Sequence, residues 1–152
     1  IIIETATVIF LNQQRSFISK SQVSVMVQTI KDMKELKALL IAAGHRLVVV
    51  EFSAKWCVPC KKMRPIFEEM SLKYKNVVFA NVDVDQSREL AETCNIKAVP
   101  TFQMFKQNTK VNLFSRFKRT LCCVRSGFEV KEIYEVSGAD PKKLEEKIKE
   151  LM

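Results

Sequence analysis

No apolar stretch in this chain approaches the roughly 20 residues that a membrane-spanning helix requires, so a water-soluble protein is expected. Glycine and proline are scarce, at 3 and 4 residues in 152. With 47% hydrophobic and 28% charged residues, the composition excludes a disordered chain and predicts one domain around one core. No cleavable signal sequence stands at the front, and 5 cysteines at irregular spacing do not make the framework of a stapled secreted scaffold. A reducing compartment is expected. Acid is in the minority too, with 17 Asp and Glu against 25 Lys and Arg, a net charge of +8. Such an excess attracts nucleic acid, anionic membranes or acidic proteins when it is concentrated. Here most of it is scattered or, as in "PKKLEEKIKELM", interleaved with glutamate as on a solvated helical face, so no nucleic-acid partner is expected.

Residues 1–25 open on Ile1 and have no helical period, no glycine or proline and only three charged residues. They read as a leader or upstream extension without a chemical motif, although "ETATVIF" alternates weakly like a short strand. From Met26 the pattern is regular. "MVQTI" reads as a strand, and "KDMKELKALLIAAG" as a helix with Met33, Leu36, Leu39 and Leu40 on one side and Gly44 as its stop. "LVVVEFSA" has the near-continuous β-branched run of a parallel strand buried on both faces. "CVPCKKMRPIFEEMSLKY" is helical after its cysteines, with Met63, Ile66, Phe67 and Met70 aligned and a kink expected at Pro65. "VVFANVDV" is the next strand and "QSRELAETCNI" the next helix; "PTFQMFK" is strand-like, with "KVNLF" and "EIYEV" competing to be its hairpin partner. "DPKKLEEKIKELM" closes the chain as a helix capped by Asp140 with Pro141 at its first position. Strands alternating with helices predict an α/β layered sheet.

The chemistry centres on "KWCVPCKK". Cys57 and Cys60 are spaced for disulfide exchange or for half of a zinc site, and spacing alone does not choose. Their place just past a buried strand and at the first turn of a helix favours redox work. The helix N-terminus, with Lys55, Lys61, Lys62 and Arg64 nearby, stabilises a thiolate. Cys57 can then attack a disulfide, and Cys60, one turn away, can resolve the mixed disulfide intramolecularly. Zinc would need two more ligands from His45, Cys94, Cys122 and Cys123, none of them at the spacing of a second pair, so no metal is expected. His45, after Gly44, caps a helix end or faces water. Glu51 inside "LVVVEFS" must either face the sheet edge or be held largely neutral, and a raised pKa suits a proton acceptor. Cys94 reads as a half-buried small hydrophobe. The adjacent Cys122 and Cys123 cannot easily bridge each other; an intermolecular disulfide or lipidation is open to them, with incidental use the default.

"LVVVEFSAKWCVPCKKMRPIFEEM", "FANVDVDQSRELAETCNIKAVPTFQMFK" and "SGADPKKLEEKIKELM" resemble thioredoxin from Met26 to the carboxyl end, apart from one interruption. That interruption, the basic, cysteine-bearing "NLFSRFKRTLCCVRSGF", is similar to the spermatid-specific branch of the family. The resemblance implies an α/β thioredoxin fold, a central mixed β-sheet flanked by helices on both faces, over residues 26–152 with an insertion at about 112–133. It implies a redox-active Cys57–Cys60 disulfide with Cys57 the more exposed nucleophile and Cys60 the buried resolving thiol. Trp56 would cover the pair, and a cis Val99–Pro100 bond would face it; Trp56, Val58, Pro59, Val99 and Pro100 would make the substrate surface. Glu51 stands where thioredoxins usually carry an aspartate thought to help deprotonate the resolving cysteine through water, and it is one methylene longer. Val58 replaces the usual glycine, which should tune the dithiol and crowd the docking surface. In the insertion Leu113, Phe114, Phe117 and Leu121 recur at helical spacing among Arg116, Lys118, Arg119 and Arg125. That reads as a basic amphipathic segment for an anionic membrane surface or a partner, or as an elongated hairpin. The activity implied is reduction of protein disulfides, with no bound cofactor and with electrons from NADPH through thioredoxin reductase. Its partners would be that reductase and disulfide-containing proteins. The location implied is cytoplasmic, with Golgi association and a part in germ-cell differentiation by likeness to the branch. The alternative is a thioredoxin-fold binding or adaptor module.

Overall fold

The computed structural model describes residues 26–108 and 129–152. Expectations that fall on residues 1–25 and 109–128, including Cys122, Cys123 and the apolar and basic positions of the insertion, lie outside the described residues. Strand β1 (Val27–Thr29) is followed by helix α1 (Met33–Ala43), whose N-cap Asp32 accepts a hydrogen bond from the Glu35 backbone N–H. Gly44 ends α1 at φ 61°, a left-handed value that suits the residue without a side chain. Strand β2 (Val48–Ser53) is buried along its whole length, as its β-branched run predicts. Helix α2 (Val58–Lys73) runs on through Pro65, which leaves the Lys61 carbonyl without its usual intrahelical donor. Then come strand β3 (Val78–Asp83), the short helix α3 (Arg88–Thr93), strands β4 (Thr101–Asn108) and β5 (Glu129–Ser137), and helix α4 (Pro141–Leu151), capped by Asp140 onto the Lys143 N–H. Cys94 closes α3, and Asn95 turns the chain at φ 57°.

The five strands lie in the order β1-β3-β2-β4-β5. β1, β3 and β2 are parallel, whereas β4 runs antiparallel to β2 and β5 antiparallel to β4. The hairpin partner of β4 is therefore the segment containing "EIYEV", and residues 129–133 belong to that hairpin. The pairing shifts between Met104 and Phe105, which face Tyr134 and Glu132, so Ile133 is the extra residue of a bulge.

Apolar side chains cover both sheet faces. On one, Leu36, Leu39 and Leu40 of α1 and Leu90 of α3 meet Val48, Val50 and Phe52 of β2. On the other, Met63, Phe67 and Met70 of α2 and Leu144 and Ile148 of α4 meet Val49, Phe79, Phe102 and Met104. This is the mixed sheet with helices on both faces. Strand alternation puts Glu51 and Ser53 on the same side as Val49, the side of α2, while Phe52 points the other way.

Candidate active site

The buried β2 delivers the chain to Ala54, and a turn of Lys55 and Trp56 leads into α2. Cys57 is the N-cap of that helix: its backbone is extended at φ −78° and ψ 108°, and its Sγ accepts from the Cys60 N–H at 3.2 Å. The two sulfurs are joined, with S–S 2.12 Å and Cα–Cα 5.3 Å. Ala54, Val84 and Val99 pack around the pair, and the Val99–Pro100 peptide bond is cis, as the resemblance implied. The expected difference in exposure does not appear. Cys57 and Cys60 are each 4% exposed, because the bond holds both sulfurs together under the same apolar side chains. Around them Trp56 is 67% exposed, Val58 61% exposed and Pro59 exposed, whereas Pro100 is buried. The helix start has no acid in its first turn, and Lys55, Lys61, Lys62 and Arg64 are all exposed beside it. Their positive field favours the thiolate form of whichever sulfur is released on reduction.

Glu51 does not face the sheet edge. It is 2% exposed, and burial pushes its pKa up to about 7; the Asn81 hydrogen bond and Arg64 pull it down, while Glu68 adds to the rise. Its Oε2 accepts from Asn81 Nδ2 at 2.9 Å, and its Oε1 has no hydrogen-bond partner among the described residues. The same Asn81 nitrogen donates to Ser53 Oγ at 2.8 Å. Glu51 lines a cavity of about 350 Å³ with Asn81, Arg64, Glu68 and Thr29. A second cavity, of about 460 Å³, is lined by Ser53, Lys61, Arg64 and Cys60. Arg64 borders both.

Two residues of this arrangement, Ser53 and Asn81, were not singled out from the sequence. Ser53 carried a signal, since it lies two residues past Glu51 on the same strand face. Asn81 carried none, because its place opposite Glu51 comes from the β2–β3 register. Cys94 is 6% exposed and burial, followed by Glu132, pushes its thiol up to about 12. It lies in the core cluster of α1, and among the described residues it is the one free cysteine. His45 is exposed. Among the described residues no three of His, Cys, Asp and Glu gather as a metal site would require.

A cysteine pair capping a helix at the end of a central strand, faced by a cis-proline loop, is the site of a thioredoxin. The thioredoxin family profile matches residues 24–124, and the chain belongs to that family. Thioredoxin domain-containing protein 8 of Rattus norvegicus is 65% identical over 127 residues, 84% of this chain and 100% of the relative, in line with the resemblance to the spermatid-specific branch. Thioredoxin of Ophiophagus hannah is 41% identical over 127 residues, again 84% of this chain and 100% of the relative. Among solved structures, thioredoxin of Fasciola hepatica superposes with a TM-score of 0.65 at 31% identity, covering 83% of this chain and 100% of that one.

Proposed function

We propose that this chain is a protein-disulfide reductase of the thioredoxin type, its domain spanning residues 26–152 with an insertion at about 112–133 and preceded by the extension 1–25. The observation that carries the reading is the Cys57–Cys60 bond at the N-terminus of α2 with a buried carboxylate behind it. In the reduced protein the Cys57 thiolate attacks one sulfur of a substrate disulfide; a mixed disulfide forms, and the other substrate sulfur leaves and takes a proton. Cys60 loses its proton toward Glu51 and attacks Cys57 Sγ. The second substrate thiol is released and the Cys57–Cys60 disulfide remains, two electrons having passed to the substrate. NADPH, through thioredoxin reductase, returns them. Exposed Trp56, Val58 and Pro59, with Val99 and Pro100 across the pair, form the surface on which the substrate strand lies. The reaction belongs in the reducing cytoplasm of differentiating male germ cells, with the basic insertion as a contact for Golgi or other anionic membrane surfaces.

Insulin reduction by NADPH and thioredoxin reductase tests this. Cys57→Ser should lose turnover by roughly 100-fold or more. Equal rates for Cys57→Ser and wild type would exclude catalysis and leave a binding module, with the exposed Val58 as its distinguishing contact. Equilibration in glutathione buffers should show a reducing pair shifted by Val58 from the family's value of about −270 mV, and a potential above about −200 mV would contradict a general reductant.

A further inference from the structure

Glu51 and Cys60 line different cavities. Arg64 borders both, and a hydrogen-bonded link through Asn81 also joins the two sides. Asn81 Nδ2 carries two hydrogens, and its neighbours at 2.9 and 2.8 Å are Glu51 Oε2 and Ser53 Oγ. The arrangement follows from the pairing of parallel strands: Asn81 lies directly across from Glu51, and Ser53 is the next residue of β2 on that face. Ser53 is 5% exposed and lines the Cys60 cavity. Because its oxygen accepts from Asn81, its own hydroxyl proton remains free to donate into that cavity.

We infer that Asn81 is a positioning residue for the dithiol chemistry: its amide nitrogen holds the Glu51 carboxylate and the Ser53 hydroxyl in fixed relation, coupling the buried acid to the cavity of Cys60. The inference rests on the reading of Glu51 as proton acceptor. When Cys60 attacks, its proton crosses the solvent of the cavity beside Ser53 and ends on Glu51, so Cys60 becomes the thiolate and Glu51 the neutral acid. A glutamate has one more rotatable bond than an aspartate, so an acceptor of this length needs an anchor if it is to stay aimed. Asn81 is that anchor, and its donation also favours the ionised, proton-accepting form of Glu51 before transfer. The other groups facing Glu51 are Arg64 and Glu68, both on α2; β1 contributes the uncharged Thr29 and β4 the apolar Phe102.

The test combines two readouts on the full chain. Carbon-13 NMR of labelled glutamate follows the Glu51 carboxyl through its titration, assigned by its loss in Glu51→Gln. A chromophoric thiol loaded on Cys57 reports the rate at which Cys60 displaces it as pH is varied. Asn81→Leu should move the Glu51 midpoint up by about one pH unit and carry the acid limb of resolution with it, a roughly tenfold slowing near pH 6. Asn81→Asp, close in shape, serves if the leucine variant does not fold, and should move the midpoint the same way by like-charge repulsion. Ser53→Ala should leave the midpoint in place and still slow resolution several-fold, to about one third or less. An unmoved midpoint in the Asn81 variants overturns the positioning role, and wild-type resolution in Ser53→Ala overturns the coupling. A moved midpoint with resolution indifferent to Asn81→Leu and Glu51→Gln alike overturns the reading of Glu51 beneath both.

Discussion

Glu51 and Cys94 show burial acting on two groups that both prefer water when charged. Glu51 retains one strong donor, Asn81, and a nearby cation, Arg64, so its pKa stops at about 7 and the group can exchange a proton under neutral conditions. Cys94 has no compensating cation among its causes of shift, and its thiol rises to about 12. At neutral pH it is therefore a packed sulfur rather than a nucleophile. Iodoacetamide applied to the folded, reduced protein at pH 7.5 should label Cys57 while Cys94 stays unmodified until denaturant is added; peptide mass mapping reads both. Rapid native-state labelling of Cys94 would show that its burial is not maintained in solution. The sequence made Cys57, Cys60 and Glu51 legible because spacing and an ionisable group in an apolar run are local signals. It gave no hint of Asn81, whose side chain matters only because another strand lies beside it.

Helix α2 carries the cysteines, so its anchorage to the sheet fixes where they stand. Phe67, 1% exposed, meets the Phe79 ring edge-on at 5.1 Å between centroids and the Phe102 ring at 5.5 Å. Phe67→Ala should lower unfolding stability by about 3 to 5 kcal/mol, measured by urea denaturation, through lost burial and the cavity left behind. A loss under about 1 kcal/mol would contradict this packing. The far end of α2 is tied to α4 by Lys73 Nζ and Tyr74 Oη, each 2.6 Å from Glu145 Oε1. Those two hydrogen bonds hold the Glu145 carboxyl down to about 2, so this tie persists to acid pH and is released as pH falls through that value. Helix periodicity predicted the buried side of α2 through Met63, Phe67 and Met70, with Ile66 only partly covered. It could not choose between two strand candidates for the partner of β4, since either segment alternates well enough alone. Pairing along β4, with its bulge at Ile133, made the choice.

Across the folded chain the pH dependence of stability follows from where the shifted carboxyls sit. Glu51 is raised from 4.5 to about 7, so between those values the native state keeps a proton that the unfolded chain has released. Stability from this group is fully present below pH 4.5 and falls as pH rises toward 7 and above, by on the order of 3 kcal/mol. Glu145 acts in the opposite sense and below pH 4.5, so the two effects occupy separate windows. Urea unfolding from pH 5 to pH 8 should show wild type losing stability relative to Glu51→Gln, most of the difference opening by pH 8. A constant difference between the two proteins would mean that the Glu51 carboxyl reaches water in the native state. By itself the sequence determined the element types, the cysteine pair at a helix start and the family, because helical and strand periods, caps and motif spacing act over a few neighbouring residues. Only the tertiary structure decided the lateral order and register of the strands, and with them the cluster over the cysteines and the placing of Asn81 and Ser53 beside Glu51. Those depend on long-range packing, in which residues far apart in the chain are brought together by the faces they bury.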